Sequence, residues 1–396
     1  MGIFHQVFAL VLTLLSSTPV NAKGSLVETW RVDTGQMLYP EGIAYDAERN
    51  RIIVGSMVSP SLATFDVANN MTHLVTYTRD GAVAGLSNLG LALDPNMPDR
   101  IWCAQGSLMT FDLGRVDAYD ISPPADGSKE AVADAVFGQS FVCQNADGGT
   151  GCGVGNDLIV AEDGFVYVTD TALGRVFSVD STTGAPIEEV VSDPMLVGTA
   201  SPFGANGILY HPSGYLIIAN TGGGALFRFD LETKELSKIG LEKDIAPDGL
   251  LFLPDGRLVM VSASTSLVVL SDAGDDWKNA VVDDEVDINF MQDGELATTI
   301  ALGASDLEVY VTFVRFGEVQ TGSVNAGPSL IGKVVLEKAS SSDSTSEEPP
   351  SDSSSEPSSE SPPSDLPDES SDAPIKQHMG LTFSISLISF LLYILF

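Results

Sequence analysis

Basic residues are scarce in this chain of 396 residues: 19 Lys and Arg stand against 54 Asp and Glu, for a formal net charge of −35. A surface of that sign excludes nucleic acid as a partner, since phosphates are held by Lys and Arg. It suits an extracellular solubility role, a cation or a cationic partner. Histidine is rarer still, with four in the chain. His73 and His211 alone fall where a domain can form, and His211 lies in the turn Tyr210-His211-Pro212. A histidine general base therefore has little to stand on, and no Ser-His-Asp set can be assembled. No glycine loop cradles a phosphate either; Gly222-Gly223-Gly224 reads as a hairpin turn. Cysteine is limited to three residues. Cys103, within the apolar run IWCA, reads as a buried thiol. Cys143 and Cys152 flank a Gly/Asp/Asn-rich loop and are expected to close a disulfide in a secreted chain. With no His and no further Cys beside them, a metal site there is disfavoured.

The two ends carry processing signals. Residues Met1 to Ala22 have an apolar core from Val7 to Leu15 and a small-residue cleavage site, Val20-Asn21-Ala22, which together read as a secretory signal. From Ser340 the chain is Ser, Pro, Asp and Glu with almost no apolar residue, so residues 340–373 are expected to form a disordered, solvated stalk. Small residues around Ser371, a spacer through Lys376, Gln377 and His378, and an apolar end from Leu381 to Phe396 follow. That order matches a lipid-anchor signal with Ser371 as the attachment residue, Ser370 close behind, and residues 374–396 removed. The competing reading is a tail-anchored helix. Asn70-Met71-Thr72 is an N-glycosylation acceptor triplet in a polar context. The expected location is the cell surface, with the protein tethered to the plasma membrane through a glycolipid.

Residues 23–339 are left for one folded domain, and they contain a repeated phrase. A short apolar strand meets a turn at Asp, Gly or Asn and returns as a β-branched strand. Copies begin near Glu41, Leu89, Asn156, Asn206, Asp248 and Thr299, at a spacing of roughly 40 to 50 residues, the size of a four-stranded propeller blade. Turns at Glu162-Asp163-Gly164, Pro212-Ser213-Gly214 and Pro254-Asp255-Gly256 have hairpin chemistry. A third strand follows in copies three and four, Gly174–Asp180 and Ala225–Asp230. No convincing helix interrupts. The expected fold is an all-β six-bladed propeller with a disordered C-terminal stalk, its ring closed by pairing of residues near Leu26–Val32 with residues near Leu330–Leu336. A two-sheet sandwich is the alternative, and it leaves the repeat unexplained.

In such a ring the first residue of each copy faces the axis. Four copies begin with an oxygen donor: Glu41, Asn156, Asn206 and Asp248. Two carboxylates and two amides suit a hard divalent cation, Ca²⁺ first and Mg²⁺ or Mn²⁺ after it. Four protein ligands leave coordination positions for water or substrate. A water-filled polar channel is the plainer reading of the same residues.

At these residues the chain resembles the gluconolactonase / senescence marker protein (regucalcin) family, within the group that includes strictosidine synthase-like propellers. The stretches that carry the likeness are PEGIAYD, GNDLIVAEDGFVYVTDT, ANGILYHPSGYLIIANT and PDGLLFLPDGRLVMV, and with weaker copies it spans about Leu26 to Leu336. The resemblance implies a channel metal held by Glu41, Asn206 and Asp248, with Asn156 touching metal, water or substrate. It also implies hydrolysis of lactones or esters at a carbonyl polarised by the metal, with Asp248 as general base; Zn²⁺ is a further candidate cation. Sugar lactonases of the family carry an Arg two residues before the equivalent of Asn156. Val154 stands there in this chain, which puts a sugar substrate in doubt.

Two functions follow. One is a monomeric cell-surface hydrolase acting on a small lactone or ester. The other is a non-catalytic, metal-stabilised surface module that binds a glycan or protein. An amine–aldehyde condensation of the strictosidine synthase kind is a distant third, as its catalytic carboxylate has no counterpart that can be placed.

Overall fold

The computed structural model describes residues 24–79, 85–108, 113–141, 153–291, 294–325 and 327–338. The signal, the Cys143–Cys152 pair, the stalk and Ser371 lie outside the described residues. One compact unit ends at Lys338, and no described helix is long and apolar enough to cross a membrane.

The described chain is almost entirely strand. After β1 (Ser25–Val32) come β2 to β5 (Pro40–Asp46, Arg51–Ser56, Leu62–Asp66, Thr72–Arg79) and β6 to β9 (Ser87–Asp94, Met97–Gly106, Gly114–Asp120, Glu130–Ser140). They are followed by β10 to β13 (Gly155–Val160, Phe165–Asp170, Arg175–Asp180, Ile187–Ser192) and β14 to β17 (Ala205–His211, Tyr215–Asn220, Ala225–Asp230, Leu236–Lys238). The last are β18 to β21 (Pro247–Phe252, Leu258–Ser262, Ser266–Asp272, Ala280–Asp287) and β22 to β24 (Leu296–Leu302, Glu308–Val314, Ser329–Val335).

Four sheets have four strands each, in the orders β10-β11-β12-β13, β14-β15-β16-β17, β18-β19-β20-β21 and β1-β24-β23-β22. A fifth has eight strands, β2-β3-β4-β5-β9-β8-β7-β6. It consists of two antiparallel meanders joined by a parallel pairing of Thr76–Arg79 with Glu130–Ala133. The arrangement is propeller-like. Strand β2 packs against β6, β6 against β10, and so on through β14, β18 and β22, which returns to β2. The core lies between successive meanders. One cluster, for example, joins Val259, Val261 and Val269 to Val309, Val311 and Phe313, and another joins Tyr215 and Ile217 to Leu258 and Met260. As expected, β1 closes the ring by pairing antiparallel with β24, Trp30 opposite Ile331.

The hairpin glycines adopt the backbone that their turns require, with φ of 90° at Gly164 and 87° at Gly214 and Gly256. Cys103 is buried and unbonded to another sulfur. Among the described residues, a 3-10 turn over Pro194–Leu196 and a helix over Phe316–Thr321, ended by Gly322 in the left-handed region, depart from the strand pattern. The six residues of the helix are too few for a periodic apolar stripe.

Candidate active site

Every inner strand has an irregularity at the same place. The pairing register shifts between Pro40 and Ile43 in β2, Asn88 and Leu91 in β6, and Gly155 and Leu158 in β10. It shifts likewise between Ala205 and Ile208 in β14, Pro247 and Leu250 in β18, and Ala297 and Ile300 in β22. A bulge leaves two residues unpaired and turns their side chains away from the regular alternation. The bulged pairs are Glu41-Gly42, Leu89-Gly90, Asn156-Asp157, Asn206-Gly207, Asp248-Gly249 and Thr298-Thr299. The four oxygen-bearing residues thus occupy equivalent positions. The sixth copy, however, begins at Thr298 rather than Thr299, because its bulge starts one residue earlier.

Close packing explains the second residue of each pair. A Cβ built on Gly42 would sit 1.8 Å from the Leu89 carbonyl oxygen, and one on Gly207 would sit 2.2 Å from that of Asp248. Neighbouring inner strands touch backbone to backbone there, and only glycine fits. Asp157 stands where four of the other bulges have glycine. It is a carboxylate at the channel that the repeat pattern passed over, although its departure from the glycine rule was visible in the sequence.

Hydroxyls from the adjacent strands hold the bulges in place. Thr298 and Thr312 both donate to the Glu41 carbonyl, at 3.1 and 2.6 Å. Thr169 donates to the Asn206 carbonyl at 2.8 Å and accepts from the Asp157 amide at 3.0 Å. The Asn206 side chain donates to Thr221 at 3.0 Å, and Thr221 donates to the Pro247 carbonyl at 2.6 Å. Each of these carbonyls belongs to a residue at, or directly before, a bulged pair, so the hydroxyls fix the backbone from which the site side chains project.

Glu41, Asn156, Asp157 and Asn206 are buried, whereas Asp248 keeps partial exposure. Burial pushes the Glu41 carboxyl well above the usual range, and the charges of Asp248 and Asp157 push it further. Burial and the neighbouring Asp157 raise Asp248 to about 8, against a hydrogen bond from Asn206 that favours its ionised form. Asp157 is raised to about 7 by burial, opposed by hydrogen bonds from the backbone amides of Leu158 and Ile208. Glu41 and Asp248 are therefore brought into one electrostatic neighbourhood with Asp157, and the Asn206 amide favours the ionised form of Asp248. Asn156 enters the same ring on β10, between β6 and β14.

One oxygen on each of two carboxyls has no partner: Glu41 Oε2 and Asp248 Oδ1 are buried and unbonded. Buried acceptors left empty are costly unless something positive meets them. Among the described residues no group of three or more His, Cys, Asp or Glu is arranged to hold a metal. The expected set has a different make-up, two carboxylates and two amides, and its orphaned oxygens fit a hard cation.

At this end of the ring an apolar cluster packs around Leu89, with Tyr39, Met57, Val154 and Val314. Phe316 and Val319 of the short helix lie against it. The Tyr39 hydroxyl donates to Glu318, and the Arg315 guanidinium stands 5.1 Å from the Tyr39 ring centroid, so the helix is pinned beside the strand that carries Glu41. Val154, the residue in the place of the family's arginine, is fully buried here.

No family model and no curated protein matches the chain. Solved structures share its architecture. The major allergen Mala s 1 of Malassezia sympodialis is 17% identical, with a TM-score of 0.62 over 78% of this chain and 96% of that one. A luciferin-regenerating enzyme is 13% identical, with a TM-score of 0.51 over 78% of this chain and 97% of its own. A gluconolactonase from Xanthomonas campestris is 16% identical over 76% of this chain and 87% of that one, at a TM-score of 0.49. The first two establish a shared fold, and the chemistry has to come from the residues.

Proposed function

We propose that this chain is a cell-surface hydrolase of lactones or small esters, dependent on a divalent cation and built as a six-bladed propeller, with the eight-stranded sheet counted as two blades. The observation that carries the reading is the convergence of the Glu41, Asp157 and Asp248 carboxyls and Asn206 at equivalent bulges, with a buried oxygen left unbonded on Glu41 and on Asp248. Glu41, Asn156, Asn206 and Asp248 would hold the cation, Ca²⁺ by preference, with Mg²⁺, Mn²⁺ and Zn²⁺ as the other candidates. A cation held there supplies Lewis-acid polarisation of the ester carbonyl. Asp248 takes the proton from the attacking water, the cation beside it keeping its otherwise raised carboxyl ionised. Asn206 orients Asp248 through its hydrogen bond, and the apolar cluster around Leu89 keeps bulk water from that side. The protein acts as a monomer, carries a glycan on the exposed Asn70, closes the Cys143–Cys152 disulfide and is tethered through Ser371.

The test is turnover of a lactone and ester panel by purified protein with Ca²⁺, Mn²⁺ or Zn²⁺, beside Asp248→Ala and elemental analysis. Hydrolysis that is abolished by chelation and by Asp248→Ala is expected. Bound metal with no turnover of any substrate would replace this reading with that of a non-catalytic surface module, which the buried Val154 in the arginine's place would then favour.

A further inference from the structure

The channel continues past the carboxylates. Beyond the bulges, all six inner strands line an open pocket of about 250 Å³. Of its seventeen lining residues only Tyr45, Asp157 and Thr299 have polar side chains; the rest are Leu, Ile and Ala. Leu93, Ile159, Leu251 and Leu302, one from each of four strands, line it and keep part of their surface unburied. Aliphatic surface left open inside a ring is unfavourable in proportion to its area, and a hydrocarbon placed against it removes that cost. A sugar ring would need a partner for each hydroxyl, and apart from backbone groups the lining side chains offer only three.

Asp157 ties this cavity to the candidate active site. Asp157 is among the lining residues, and its charge acts on both Glu41 and Asp248. A cavity of about 150 Å³ lined by Leu, Ile and Phe accommodates benzene, so the space here takes a larger group.

We infer that this cavity is a hydrocarbon-binding site that receives the alkyl or aryl arm of the substrate while its ester or lactone carbonyl lies at the carboxylates. This deepens the hydrolase reading and rests on it for the reaction, but the cavity's preference for hydrocarbon stands on its own lining. The substrate class is then an alkyl- or aryl-substituted lactone or ester, and sugar lactones are excluded.

Two measurements on the intact protein test it. In the first, kcat/KM is followed along γ-lactones whose side chain grows from none to octyl. It is expected to rise about fourfold per methylene until the cavity is full, and Leu251→Trp is expected to flatten the rise. In the second, a naphthylamine dye whose fluorescence increases in apolar surroundings is displaced by straight-chain alcohols, with longer chains displacing it at lower concentration. Turnover that is flat along the lactone series, or a dye that neither binds nor is displaced, overturns the inference. Chain-length-dependent displacement without turnover of any lactone leaves the hydrocarbon site standing and removes the hydrolase.

Discussion

Asp157 is the residue on which the electrostatics of the site turn. In the metal-free protein it holds its proton up to about pH 7, and Asp248 up to about pH 8, whereas an unfolded chain ionises both near pH 4. The folded state therefore binds more protons between those limits, and stability falls as pH rises from about 4 to about 8, with the raised Glu41 carboxyl acting in the same direction. Asp157→Asn removes one group that resists ionisation and one charge that raises two others. With chelator present, the fall in Tm between pH 4 and pH 9 should become shallower by roughly a third or more; an unchanged slope would place the carboxyls too far apart to interact. Glu41, Asn156, Asn206 and Asp248 were legible from the sequence because each opens a copy of the repeat. Asp157 was not, because the pattern that finds first residues ignores second ones. The threonines behind the bulges were equally silent. Thr169, Thr221 and Thr312 look like ordinary strand residues until the partner carbonyls are known.

The bulge is the element that makes a site out of a repeat. Strand, turn and third strand could be read from Asp-Gly and Ser-Gly turns and β-branched runs, and the structure agrees at β11, β12 and β16. The bulges could not, since they arise where neighbouring inner strands meet. They also explain the glycines. Gly207→Ala places a methyl group 2.2 Å from the Asp248 carbonyl oxygen. Relief requires the two inner strands to move apart, at about 1 to 3 kcal/mol for overpacking. Chemical denaturation should show that loss, and cation affinity should drop with it because Asn206 and Asp248 separate. A variant of wild-type stability would mean that the strands are not in contact at that point. The helix over Phe316–Thr321 was missed for a different reason, as its stabilising contacts to Tyr39 and Phe203 come from distant parts of the chain.

At the scale of the molecule, closure by β1 dominates. The strand comes from the start of the folded chain and completes a sheet made at its end, so the last sheet cannot finish without it. Removing residues 24–32 should replace a single cooperative unfolding transition with a broad one, read by circular dichroism; a sharp transition retained at wild-type temperature would show that β24 tolerates an open edge. Closure was legible in the sequence, but the joining of β5 to β9 was not, since parallel pairing between two outer strands carries no turn signal. That seam has a consequence for how copies of the protein meet. Four outer strands, β1, β13, β17 and β21, still have a single partner each. Any self-templated assembly would have to start on one of these rims. Glu188 and Glu189 lie on the second and Asp283 and Asp287 on the last, whereas the third carries Lys238. Copies approaching β13 to β13 or β21 to β21 would face like charge, which disfavours those two pairings.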